Sequence, residues 1–159
     1  HGQVLGLDFC PTMLSIAKNK AANSPYGSLC IFKEGDIMRI PLPDAYAQCV
    51  CIAFGVRNLV DIPQGLREMV RILKPGGKLL ILDLGEPGSV PGSHWYLQKI
   101  LPLIGRWSAD PSAYTYLVQS LSQYPAPGEL IGLGKKAGLR EMEYHGHLGD
   151  LVRIHLGVH

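Results

Sequence analysis

Along the first half of the chain, short apolar runs that close on a polar residue alternate with stretches of helical spacing. The run "QVLGLD" (residues 3–8) ends in an aspartate and is followed by Pro11 and a pattern with Met13, Leu14, Ala17 and Ala21 on one side. It reads as a strand and then a helix begun at a proline. "LCIFKEGD" (29–36) and "CVCIAF" (49–54) read as further strands, and "PQGLREMVRILK" (63–74) as a helix with proline in its first turn. Lys74 suits the negative end of that helix's dipole, and Pro75, Gly76 and Gly77 break the helix before the strand "KLLILDL" (78–84). Parallel strands joined by crossover helices are buried on both faces, which is why such runs are continuously apolar.

The second half has a different texture. "GEPGSVPG" (85–92) reads as a flexible connection, and helical patterns follow at 94–107, 112–122 and 127–137, together a helical insertion. "GLGKKAG" (132–138) belongs to the last of these helices and follows no strand, so it is no cofactor-cradling turn. "LREMEY" and "LVRIHLGV", joined by "HGHLGD", predict a hairpin on the sheet's edge.

Composition narrows the classes. A chain of 159 residues that is 47% hydrophobic and 18% charged suits one soluble domain. A net charge of +2 without a basic run speaks against nucleic acid as a partner. No apolar stretch is long enough for a membrane span, and no signal peptide is recognisable. Cys49 and Cys51 fall on one strand face and read as core thiols in a reducing compartment, since no CxxC pair occurs among the four cysteines. His145 and His147 share a face but lack a recognisable third ligand, so no metal is expected.

In an open parallel sheet, ligands sit beyond the carboxyl ends of the strands. Asp8 closes the first strand, where a carboxylate can accept from both hydroxyls of a ribose; it is equally suited to cap the following helix. Asp36 closes the second, and two acids at successive strand ends suggest an adenosine site. After the third come Gly55, which lets backbone approach a ligand, and Arg57 and Asn58. Arg57 has a plain alternative, an ion pair with Asp61 or Asp36 that pins the loop.

The segments "GLDFCPTML", "EGDIMRIPLPD", "FGVRNLVDIPQGLREMVRILKPGGKLLILDL" and "GDLVRIHLG" together resemble the quinone-biosynthesis C-methyltransferases that methylate demethylmenaquinone or the ubiquinone precursor. The resemblance spans nearly the whole chain and extends to "LPLIG" (101–105) and "YTYLVQSL" (114–121). It implies an α/β, Rossmann-like class I methyltransferase using S-adenosylmethionine, with a mostly parallel sheet and a C-terminal antiparallel hairpin. It further implies that Asp8 holds the ribose, that Asp36 and the backbone of Ile37 hold the adenine with Met13 packed nearby, and that Ala53 lies beside the methionine part. Arg57 and Asn58 become the catalytic pair, facing the phenolic oxygen of a prenylated quinol, with Tyr114 and Tyr116 as weaker candidates for its pocket. A segment over 94–125 would cover the acceptor, and its apolar residues could receive a prenyl tail at a membrane surface.

Ala53 stands where the family often has serine, so a side-chain hydrogen bond is missing there and only backbone contact is implied; two further departures, Asp83 where glutamate is frequent and Gly85 where serine is frequent, are mild. A larger one is that the family's first strand and glycine-rich cofactor turn belong upstream of Asp8. The expectation is therefore a single domain over 1–159 that lacks that strand, either as a piece of a longer protein or as a fold that rearranges or pairs with another chain. A non-catalytic methyltransferase-like interaction module and a methyltransferase for another small acceptor remain alternatives. A homodimer and peripheral membrane contact stay open, with a cytoplasmic setting expected, or an organelle matrix in a eukaryote.

Overall fold

A computed structural model of the chain describes residues 2–85 and 124–159. The order is β1 (Val4–Asp8), α1 (Pro11–Ala22), β2 (Cys30–Glu34), β3 (Ala47–Ala53), α2 (Ile62–Arg71), β4 (Leu73–Leu84), α3 (Pro127–Lys136), β5 (Glu141–His147) and β6 (Val152–Val158). The strand and helix alternation read from the sequence is thus present. The helices expected at 94–107 and 112–122, the connection at 86–92, and with them Tyr114 and Tyr116, lie outside the described residues.

Among the described residues the strands form two sheets. β1 and β2 pair in parallel, with Asp8 opposite Glu34. The other sheet runs β3-β4-β6-β5, with β3 and β4 parallel and the β5–β6 hairpin antiparallel. The hairpin joins the sheet through its second strand, because Ile81 of β4 faces His155 of β6 and His155 in turn faces Tyr144 of β5.

α2 and α3 lie over one face of the four-stranded sheet. In α2, Leu66, Met69 and Val70 are buried at helical spacing while Arg67 is exposed and Gln64 and Arg71 are partly buried. Its start is fixed by Asp61, whose Oδ1 accepts the amide of Gln64 at 2.9 Å. On β4 the alternate residues Leu79, Ile81 and Asp83 are fully buried beneath these helices. α3 buries Leu130 in the same core, so this helix belongs to the domain's frame and not to an insertion. Gly134 lets it approach β5, since a Cβ there would fall 2.3 Å from the sulfur of Met142.

The helix expected to reach Lys74 ends at Arg71, and Lys74 lies in β4. Backbone pairing decides this. Ala47 pairs with Leu73, but the next ladder partners are Cys49 and Lys78, so "KPGG" bulges out of the strand. Gly76 takes a φ of 77° there, and its amide donates to the carbonyl of His159 at 2.8 Å.

The expectation that the apolar runs are buried on both faces, with Cys49 and Cys51 as core thiols, is corrected. Val50 and Ile52 pack on the core cluster, whereas Cys49 and Cys51 on the other face of β3 are exposed free thiols with sulfurs 3.6 Å apart. β2 likewise exposes Ile31. Alternation placed the cysteines together correctly, but among the described residues it is the opposite face that meets the helices. No helix among the described residues is long and apolar enough to cross a membrane.

Candidate functional site

The parallel strands β1 and β2 bring their terminal acids to one end of their sheet. The amide of Gly35 donates to the carbonyl of Asp8 at 3.1 Å, so the turn leading to Asp36 starts beside Asp8. Asp8 Oδ1 accepts the amide of Cys10 at 2.8 Å, and Asp36 Oδ1 accepts that of Met38 at the same distance. Each carboxylate uses one oxygen to fix its own turn, leaving Oδ2 without a protein partner among the described residues. For Asp8 this is turn-fixing next to α1; the N-cap residue itself is Cys10. An open hollow of about 380 Å³ lies here, lined by Phe9, Glu34, Gly35, Asp36, Arg39 and Pro41. Its apolar ring surfaces beside acceptor oxygens suit a flat base carrying N–H donors. Ile37 is partly buried against the core, and Met13 is 53% exposed in the first turn of α1.

The segment after β2 is tied to α2. The amide of Ile40 donates to Glu68 Oε2 at 2.8 Å, and Gln64 Nε2 donates to the carbonyl of Met38 at 3.1 Å. Arg71 donates to the carbonyls of Ile40 and Leu42 and pairs with Asp44 and Glu68. The hydrogen bonds from Arg71 draw the Glu68 carboxyl below its ordinary range and push the Arg71 guanidinium up.

At the tip of β3, Ala53 is exposed and the chain turns sharply. Phe54 has a φ of 56°, a left-handed conformation that costs a residue with a side chain about 1–3 kcal/mol. It is held by its amide, donating to the carbonyl of Leu82 at 2.7 Å, and by Asn58 Nδ2, donating to its carbonyl at 3.2 Å. The turn runs into a short 3₁₀ segment, Val56–Asn58. Val56 is buried as its anchor, and Arg57 lies with its guanidinium carbon 6.0 Å from the centre of the Phe54 ring.

Arg57 pairs with Asp83, not with Asp61 or Asp36 as one reading of the sequence proposed. Its Nη1 donates to Asp83 Oδ1 and its amide to Oδ2 at 3.3 Å. Asp61 is occupied as the cap of α2, and Asp36 by its own turn. Asp83 is fully buried, and Oδ1 also accepts the amide of Leu84 at 2.9 Å. Across the ladder it faces Arg153 of β6, whose Nε and Nη2 donate to Asp150 at 3.1 and 2.9 Å. A Cβ on Gly85 would collide with the Arg153 guanidinium, so the absence of a side chain there lets the arginine lie across the end of β4.

Two other buried polar groups, Tyr124 and His155, were not visible as site residues in the sequence. Nothing in their spacing marks them, and His155 sits in an apolar run. Burial holds its imidazole down at about 4, Arg153 adding to the effect, while the carbonyl of Pro127 and Asp150 oppose it. Its ring lies 5.1 Å from that of Tyr144. His145 sits 3.5 Å from Glu143, and among the described residues no cluster of three or more side chains could hold a metal.

The structure therefore starts the turn of Asp36 beside Asp8 at the carboxyl ends of β1 and β2, and places Arg57 and Asn58 just past Ala53 at the carboxyl end of β3, in the other sheet. No described hydrogen bond or ion pair links the first group to the second.

This arrangement is the fold of the class I S-adenosylmethionine-dependent methyltransferases: the chain superposes on a SAM-dependent methyltransferase from Aquifex aeolicus with a TM-score of 0.67, at 18% identity, over 99% of this chain and 69% of that one. Residues 1–159 match the ubiE/COQ5 methyltransferase family, and the chain belongs to it. It is 37% identical to the demethylmenaquinone methyltransferase of Desulfitobacterium hafniense, over 97% of this chain and 62% of that protein. It is 34% identical to the ubiquinone/menaquinone biosynthesis C-methyltransferase UbiE of Saccharophagus degradans, over 99% of this chain and 65% of the relative. The chain thus spans somewhat under two thirds of the length of these relatives.

Proposed function

We propose that this protein transfers a methyl group from S-adenosylmethionine to a ring carbon of a prenylated quinol, a demethylmenaquinol or ubiquinone precursor. The observation that carries the reading is the family match along all 159 residues, together with Arg57 held at the carboxyl end of β3 and β4.

The residues present suit the cofactor. Asp8 and Asp36 each keep a carboxylate oxygen for hydroxyl and amine donors, and the hollow beside them offers Phe9 and Pro41 to a flat base. Asp8 would hold the ribose, Asp36 and the backbone of Ile37 the adenine with Met13 nearby, and Ala53 would flank the methionine part through its backbone. When bound, S-adenosylmethionine supplies an electrophilic methyl group.

The chain's own part lies with the acceptor. A quinol carbon becomes nucleophilic as its phenolic proton, with an ordinary pKa of about 10, is withdrawn. Arg57 is not a base. Its fixed charge stabilises the oxyanion, and Asp83 holds the fork so that little reorganisation is needed when charge develops. Asn58 donates to the same oxygen. Tyr114 and Tyr116 belong to the proposed acceptor wall, and the prenyl tail would bring the protein to a membrane surface. A further parallel strand between β1 and β3, carrying a glycine-rich turn, would unite the two sheets; their separation supports this reading.

The test is methylation of a short-chain demethylmenaquinol with methyl-labelled S-adenosylmethionine. Asp8→Ala and Asp36→Ala are expected to weaken cofactor binding by ~10- to 100-fold each, the loss of one hydrogen bond to a charged group. Arg57→Ala is expected to lower kcat. Label on no quinol at all overturns the reaction; full activity in Arg57→Ala overturns that residue's role.

A further inference from the structure

Tyr124 is 7% exposed, and its hydroxyl has no hydrogen-bond partner among the described residues. Nε of Arg57, whose charge acts on Tyr124, is also without an acceptor among the described residues, although Nη1 of that guanidinium is taken by Asp83. The donors that Asp83 receives are Arg57 Nη1, the amide of Arg57 and the amide of Leu84, and neither the Tyr124 hydroxyl nor Arg57 Nε is among them. Burial pushes the phenol of Tyr124 above its ordinary range, and Asp83 pushes it further, while Arg153 and Arg57 oppose. The hydroxyl therefore stays protonated through neutral pH and is available to donate.

A buried donor without an acceptor costs about 1–3 kcal/mol, and native proteins retain few of them. Two near Asp83, at the carboxyl ends of β3 and β4, call for an acceptor oxygen. We propose that the Tyr124 hydroxyl is a second donor to the acceptor's phenolic oxygen, acting beside Arg57 Nε–H; this rests on the reading of Arg57 given above. A neutral donor and a cationic one on the same oxygen favour the phenolate over the phenol, and Tyr124 keeps its own proton throughout. Its place just before α3, fixed by Pro125 and Pro127, gives the hydroxyl a rigid mount.

The experiment is Tyr124→Phe in the full-length protein, which removes a single oxygen and leaves the charges of Asp83, Arg153 and Arg57 in place. Rates with S-adenosylmethionine and short-chain demethylmenaquinol are measured across pH. The expected result is a fall in kcat of about tenfold with KM changed less than about twofold, and an acidic limb of the kcat profile displaced upward by about one pH unit, as the bound quinol ionises less readily. A purely structural role would lower the melting temperature and leave that limb in place. Unchanged kcat and limb in Tyr124→Phe, with Arg57→Ala still impaired, overturn the role of Tyr124 alone. A wild-type rate in both variants overturns the site reading as well. Should Tyr124→Phe not fold, fluorotyrosine at 124, a stronger donor, is expected to move the limb downward; no movement overturns the proposal.

Discussion

The buried carboxylate of Asp83 accepts from both the backbone amide and the guanidinium of Arg57, joining the tip of β3 to the tip of β4. A strained Phe54 and a short 3₁₀ segment are thereby held in one geometry, and the arginine becomes part of the frame as well as of the proposed chemistry.

Removing one partner of this pair is expected to be costly. Asp83→Ala leaves the Arg57 charge buried without its counterion and should destabilise the fold by about 3–5 kcal/mol in urea unfolding. The double variant Asp83→Leu with Arg57→Met should recover most of that loss. A double variant less stable than the sum of the single ones shows that the pair is not the source of the cost.

Arg71 ties the segment after β2 to α2 through the carbonyls of Ile40 and Leu42 and the carboxylates of Asp44 and Glu68. Arg71→Ala is expected to cost about 1.5–3 kcal/mol and to speed hydrogen exchange at the amide of Ile40, whose acceptor Glu68 loses its anchor. Exchange unchanged from wild type contradicts this role. Arg71→Lys should restore little, because an ammonium cannot span four acceptors in fixed directions.

His155 carries a pH dependence of stability. Its folded pKa, about 4, lies below its ordinary 6.5, so the unfolded chain takes up a proton more readily. Stability is then full above about 6.5 and falls as the pH drops toward 4, by about 3 kcal/mol from this group. The groups around it, Arg153, Asp150 and the ring of Tyr144, remain in His155→Phe, which should flatten the profile over that window. Chemical denaturation at a series of pH values decides; an equally steep profile in the variant assigns the acid loss elsewhere.

Cys49 and Cys51 are expected to react with a thiol reagent in the native protein, because both are exposed. Cys51 should be the slower near neutral pH, as partial burial and the Cys49 thiol raise its pKa. Mass spectrometry of labelled peptides over time measures both rates. Protection of both thiols until unfolding would contradict the exposure of this face.

Much of the architecture was legible before any coordinates. Apolar runs ending in Asp8 and in the "EGD" of Asp36, with a proline-started helix between them, defined parallel strands whose acids must share one end. The alternation of "LVRIHLGV" likewise defined the hairpin. These features depend on residues near one another in sequence, where periodicity and turn chemistry act directly. The end of α2 was misread because "ILK" fits a helix as well as a strand, and only pairing of Leu73 with Ala47 settles it.

The sequence by itself thus determined the order of elements, the carboxylates at the strand tips and the family to which the chain belongs. Only the tertiary structure decided that Arg57 meets Asp83, 26 residues away, and that Tyr124 and His155 are buried polar groups. It also decided which face of β3 the helices cover, leaving Cys49 and Cys51 outside. Each of these depends on which surfaces meet across the fold, and a side chain's partner there is set by packing between elements, which spacing along one element does not encode.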